Sequence, residues 1–196
     1  MAVGSEHLRV RDEKLRPIIE SFGPMEFSLR RDFFASLVES ILSQQLSGSA
    51  AASIIKKVKR LDGTGRLTAE PIYRTPARDL RKAGVSPQKL RYLKDLSRRV
   101  VNGEIDFRSL RKKSDEEIIS ALDPILGVGL WTVQMLLIFA LGRPDVLPVN
   151  DLGIRKSIQK VYALPELPKS TAIETLAVNW HPFCSVASLY LWRAVD

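Results

Sequence analysis

The sequence predicts an all-α fold. Three observations carry this expectation. Apolar residues recur at three-to-four spacing along most of the chain, no sustained period-2 segment occurs, and no Asn-Gly hairpin turn is present. Gly- and Pro-rich turns cut the helical pattern into eight or more short helices.

The elements follow in order. Phe33/Phe34, Leu37/Val38, Ile41/Leu42 and Gln45/Leu46 form one apolar face of a long helix. Leu90, Leu93, Leu96 and Val100 form another. Ser114 with Glu117 reads as a capping box in front of Ile118, Ile119 and Leu122. Gly127-Val128-Gly129 then precedes the apolar run from Leu130 to Leu141. That run is about half the length that spans a bilayer, so it predicts a buried core helix. Ser170 is placed to cap a helix carrying Ile173, Leu176 and Trp180. A last helix follows Pro182, with Phe183, Val186 or Ala187, and Tyr190 on its apolar face.

Composition narrows the chemistry. The 196 residues include one Cys and two His, with 45% hydrophobic and 27% charged residues. This is the make-up of a globular domain. One Cys cannot form an internal disulfide, a four-thiolate zinc site or a cysteine-ligated iron–sulfur cluster. His7 and His181 stand far apart, in no metal-ligand spacing. No apolar stretch of signal-peptide length opens the sequence, so an intracellular protein is expected.

The net charge of +8 is unevenly spread. Residues 51–113 hold 18 Lys+Arg against 6 Asp+Glu, a net of +12, and the remainder is net −4. Such a segment can hold a polyanion through counterion release or be a solvated helix surface. If the charge contacts DNA, neutralising Arg98 and Arg99 should flatten the salt dependence of binding.

The stretch from Leu122 to Leu152 carries the most chemistry. Gly127 and Gly129 permit positive φ and close backbone approach directly before a helix start, where free N–H groups attract phosphate. By itself this is a weak signal, compatible with a plain helix–helix turn. Beyond it, Asp151 stands at the start of the next helix. It is either an ordinary N-cap or a carboxylate offered to a developing positive charge, as glycosidic cleavage requires.

These residues resemble the helix–hairpin–helix DNA glycosylases, and more narrowly the 3-methyladenine DNA glycosylase II branch. The resemblance rests on Leu126 to Thr132, Gly142 to Val146 and Pro148 to Gly153. It extends to Ile41 to Ser47 with Ala50-Ala51, to Ala83 to Ser86 with Lys89 and Tyr92-Leu93, and to Trp180 to Pro182 with Ser185 to Ala187 and Tyr190 to Arg193. It covers roughly residues 30–193.

The resemblance implies a two-lobe helical core. Lobe one is expected at about 1–40 plus 145–196. Lobe two is expected at about 41–144, with the helix–hairpin–helix at 118–141. About 30 residues precede the first matching block, too few for the N-terminal β domain of some relatives. Asp151 falls on the family's catalytic aspartate. Trp131 falls where bifunctional relatives carry a Schiff-base lysine, so a monofunctional enzyme without lyase activity is implied. Trp131 and Trp192 fall on base-pocket positions, Gly127 and Gly129 on the DNA-binding hairpin. Gln45 and Leu46 fall on the wedge that fills the gap left by a flipped nucleotide, with the tip undecided between them.

Three positions depart from the family. Asn150 stands where aspartate is common, Cys184 where arginine is common, and Met135 where some relatives have tyrosine. Cys184 is expected to be a small apolar filler. The implied substrate is double-stranded DNA bearing an alkylated purine such as 3-methyladenine or 7-methylguanine. The implied protein is a monomer that needs no cofactor and no metal; a hairpin-bound monovalent ion is compatible with it. Two alternatives stay open: a non-catalytic, structure-specific DNA-binding module, and a glycosylase for hypoxanthine or ethenoadenine.

Overall fold

The computed structural model describes residues 2–25, 29–30 and 32–195. Among them the helices run α1 (Ala2–Arg11), α2 (Arg16–Phe22), α3 (Phe33–Ser43), α4 (Gly48–Lys59), α5 (Ala69–Arg74), α6 (Ala77–Lys82) and α7 (Pro87–Val101). They continue with α8 (Phe107–Leu110), α9 (Asp115–Leu122) and α10 (Leu130–Leu136), which runs on as a π-helical segment over Leu137–Leu141. Next come α11 (Leu152–Val161), α12 (Ser170–Ala177) and α13 (Cys184–Arg193). No strand occurs among the described residues. None of the described helices is long and apolar enough to cross a membrane.

The chain divides into two units, Arg30–Leu136 and Met1–Leu29 with Leu137–Asp196. The expected borders near 40 and 145 are therefore displaced. On the N-terminal side the reason is α3. Its Phe33, Phe34, Leu37, Val38, Ile41 and Leu42 are all buried, and it packs on α4, α7 and α10 of the same unit. On the C-terminal side the border falls where α10 gives way to the π-helical segment.

In the unit Arg30–Leu136, side-chain caps set the helix starts. Asp32, Ser47 and Ser86 accept from the first-turn N–H groups of α3, α4 and α7. The capping box at Ser114 and Glu117 is present as expected, with bonds of 2.7 and 3.2 Å. The long helix expected through Leu46 instead ends at Ser43, and Gln44 leaves it in an extended conformation. Lysines close two of the helices. Lys94 Nζ donates to the carbonyls of Ile72, Tyr73 and Thr75 at the end of α5. Lys89 Nζ does the same for α3, at Leu42 and Gln44.

The other unit is built around Leu8, Leu15, Ile19, Ile154, Ile158, Ile173, Trp180 and Tyr190. A buried carboxylate, Asp12, stands among them. It accepts from the backbone N–H of Leu15 at 3.0 Å, the indole of Trp180 at 2.7 Å and the hydroxyl of Tyr162. A buried charge needs such a set of donors. Burial, with Asp12 beside it, pushes the Tyr162 phenol well above its ordinary range. Ser170 does not cap α12: it is the first helical residue, after an extended Lys169. Trp180 lies beyond the end of α12 and is fully buried. Helices α11 and α13 pack together, which brings the start of α11 beside the last turn of α13.

Candidate active site

Asp151 is the N-cap of α11. Its Oδ1 accepts from the backbone N–H of Ile154 at 2.8 Å and from the indole Nε1 of Trp192 at 2.9 Å. The first bond is the ordinary cap. The second comes from 41 residues away and fixes the carboxylate's orientation beyond what capping needs. The indole of Trp192 is held in turn by Phe139, with ring centroids 5.6 Å apart. Gly153 makes the arrangement possible. A Cβ there would stand 3.1 Å from both Asp151 Oδ1 and Trp192 Cδ1, tighter than most real contacts.

The loop leading to Asp151 is anchored to the start of α13. Ser185 donates its backbone N–H to Pro144 at 2.9 Å, and its hydroxyl accepts from Val146 N–H at 2.9 Å. The Asp145 carboxylate accepts from Cys184 N–H at 3.1 Å and pairs with His181 Nδ1 at 2.8 Å. Burial opposes ionisation of Asp145, yet the bonds from His181 and Cys184 prevail and hold it below the usual carboxylate range. Cys184 is fully buried in the core, matching the filler role. Asn150 accepts from the Ser170 hydroxyl at 3.0 Å and so ties the loop to α12.

Asp145, His181 and Cys184 are a group whose ligand-type atoms all lie within 4.8 Å of one another. Each already has a structural task. Burial also pushes the Cys184 thiol well above its ordinary range, against the thiolate a metal requires. The three residues form a hydrogen-bonded brace between the loop and the start of α13.

In the unit Arg30–Leu136, the loop 123–129 joins α9 to α10 and rests on α7. Asp95 Oδ2 accepts from Leu126 N–H at 3.0 Å, and Arg99 donates to Pro124 O at 3.0 Å. Gly127 has φ +79°, and a Cβ on it would lie 2.1 Å from the Tyr92 ring. Only glycine fits there. Gly129 differs, because nothing of the protein lies near where its Cβ would be. A groove of about 520 Å³ runs along this loop, lined by Gln44, Gln45, Gln88, Lys89, Tyr92 and residues 123–129.

Two expected positions border or adjoin it. Gln45 is exposed in the left-handed region at φ +57°. Leu46 is 41% exposed. Trp131, on the first turn of α10, is 46% exposed and is therefore no core residue.

Part of the basic segment is paired within the protein. Arg98 and Arg99 are not free surface charges. Arg98 pairs with Asp95 at 3.2 Å and Glu104 at 2.6 Å, Arg99 with the same two acids at 3.1 and 3.3 Å. Lys89 and Lys94 are spent on helix ends. Composition could not reveal this, since a count of charges does not show which ones meet partners.

A hairpin bearing two glycines, followed by a second helix start that presents a fixed carboxylate, defines the class of helix–hairpin–helix base-excision proteins. Residues 38–182 match the HhH-GPD superfamily base excision DNA repair protein family, and the chain belongs to it. DNA-3-methyladenine glycosylase 1 of Schizosaccharomyces pombe is 32% identical over 192 residues, covering 95% of this chain and 84% of the relative. A DNA-3-methyladenine glycosylase of Saccharomyces cerevisiae is 34% identical, covering 96% and 77%. Among solved structures, the Bacillus halodurans DNA-3-methyladenine glycosidase superposes with a TM-score of 0.89 at 34% identity, over 98% of this chain and 89% of that one. A Schizosaccharomyces pombe 3-methyladenine DNA glycosylase in complex with abasic DNA gives 0.87 at 31% identity, over 97% and 95%.

Proposed function

We propose that this chain is a monofunctional DNA glycosylase of base excision repair. It binds double-stranded DNA, flips an alkylated purine such as 3-methyladenine or 7-methylguanine, and hydrolyses the N-glycosidic bond. The observation that carries this reading is Asp151, fixed by Ile154 N–H and by the indole of Trp192. The names of its relatives support the reaction and the substrate class.

The chemistry follows from the substrate. A purine alkylated at these ring nitrogens is cationic in the nucleoside and leaves readily, so no strong general acid is needed. As the C1′–N bond breaks, the base departs with the bonding electrons and positive charge grows on the sugar. Asp151 offsets that charge, and water adds to C1′ and releases a proton. Trp192, beside Asp151, is assigned to contact with the base, since an aromatic face attracts a cationic purine by ~0.5–2 kcal/mol. An indole has no amine for a Schiff base, so Trp131 supports a hydrolase without lyase activity.

Gly129 is assigned to phosphate contact, because its open side lets backbone approach, whereas Gly127 shapes the turn. We assign the wedge tip to Gln45, the exposed residue held in a left-handed conformation. No metal or organic cofactor is invoked. The enzyme acts as an intracellular monomer.

The test is base release, read by chromatography, from duplexes carrying 3-methyladenine, 7-methylguanine, ethenoadenine or hypoxanthine. Release of the cationic purines first supports the reading. Preference for a neutral lesion would move the substrate. Equal binding of damaged and intact duplexes with no release would make the chain a binding module.

A further inference from the structure

The Gln45 backbone is left-handed without a glycine: it is the third residue of a turn closed by Leu46 N–H donating to Ser43 O at 3.2 Å, and two side chains brace that turn from outside. Lys89 Nζ donates to Leu42 O and to Gln44 O, both at 2.7 Å. Gln44 O belongs to the peptide that leads into Gln45, so the ammonium fixes the plane from which Gln45 departs. The Gln44 side chain donates from Nε2 to Gly127 O at 2.9 Å, which ties the same turn to the hairpin loop. One helix supports both features. Lys89 at the start of α7 grips the Gln44–Gln45 turn, and Tyr92, one turn on, lies under Gly127.

We infer that Lys89 is a positioning residue for nucleotide flipping: its ammonium, with the Gln44 amide, pre-sets Gln45 in the geometry that enters the duplex and ties that turn to the hairpin that grips the backbone. The inference rests on the glycosylase reading for its consequence and on the unit's own geometry for its mechanism. A left-handed non-glycine residue relaxes unless its surroundings over-determine it. Without Lys89 the turn loses two charge-assisted bonds at once, and Gln45 then orders itself only on meeting DNA. Burial lowers the Lys89 ammonium's proton affinity.

A wedge-positioning role differs from a merely structural one in its dependence on Gln45. Lys89→Met and Gln45→Ala are made singly and together, each checked for native helix content and thermal midpoint. Flipping is read by the fluorescence of 2-aminopurine beside an abasic analogue, and chemistry by single-turnover base release. Lys89→Met is expected to bind intact duplex within about twofold of wild type but to lose flipping and release by about tenfold, and the double variant is expected to be no worse than Gln45→Ala alone.

Additive losses in the double variant overturn the inference, as does wild-type flipping in Lys89→Met. If Lys89→Met does not fold, Lys89→Gln, which keeps a shorter donor, enters the same cycle. The fluorescence readout needs no base release. A wild-type chain that flips but releases nothing therefore sinks the glycosylase reading while leaving the Lys89 role measurable.

Discussion

Trp192 donates its indole N–H to the same Asp151 oxygen that caps α11. The carboxylate is therefore held by two elements at once, the first turn of α11 and the last turn of α13. A cap alone would satisfy the helix. The added donor aims the group, and aiming is what a stabiliser of developing charge requires.

Trp192→Phe keeps an aromatic ring and removes that one bond. A hydrogen bond to a charged group contributes about 1.5–3 kcal/mol, so single-turnover base release should fall about 10- to 100-fold. The thermal midpoint should barely move. A variant with wild-type release would show that Asp151 is aimed by its cap alone.

The two hairpin glycines should fail differently. Gly127→Ala places a methyl on the Tyr92 ring at a positive φ, so it should destabilise the fold by about 1–3 kcal/mol. For a chain of this size that is a drop of about 2–4 °C per kcal/mol in thermal midpoint. Gly129→Ala meets no protein atom and should leave the midpoint unchanged while weakening binding to DNA. Thermal unfolding and duplex titration of both variants check the pair; equal midpoint losses would count against the division of roles.

Salt dependence should locate the DNA-facing charge. Arg98 and Arg99 share Asp95 and Glu104, so their removal should cost stability but alter the salt slope little. The Lys56 and Lys57 side chains are exposed. Lys56→Gln with Lys57→Gln should flatten the slope of log affinity against log salt by up to about 2. A steeper loss from the Arg pair would return those residues to the interface.

The Asp145–His181 pair predicts a pH dependence. The Asp145 carboxyl is held below its ordinary value, so ionisation stabilises the folded state above the unfolded value of about 4, and that gain disappears as the pH falls through the folded one. Asp145→Asn keeps an acceptor for Cys184 N–H but loses the charge. Its thermal midpoint should lie below wild type at neutral pH, and the gap should close below about pH 4. A gap that persists in acid would mean the pair is not electrostatic.

The sequence made the helices legible because period and caps are local properties. Ser114 and Glu117 predicted their own bonds, and Asp151 its own cap. What stayed hidden was set by partners distant in the chain. No local pattern shows that Trp192 reaches Asp151, that His181 serves Asp145, or that Lys89 closes α3. The unit borders moved for the same reason, since the face of α3 could be read but not the helices it packs on. The count of basic residues likewise could not show that Arg98 and Arg99 meet acids on their own surface.

The central claim is that Asp151 carries the chemistry while other residues carry DNA binding. Asp151→Asn keeps the shape of the cap and removes the charge. Titrated against a duplex bearing one 7-methylguanine, it should bind as wild type does, and chromatography should show release slowed by about 100- to 1,000-fold, the range for removing one preorganised electrostatic group from an active site. Release near the wild-type rate would contradict the account.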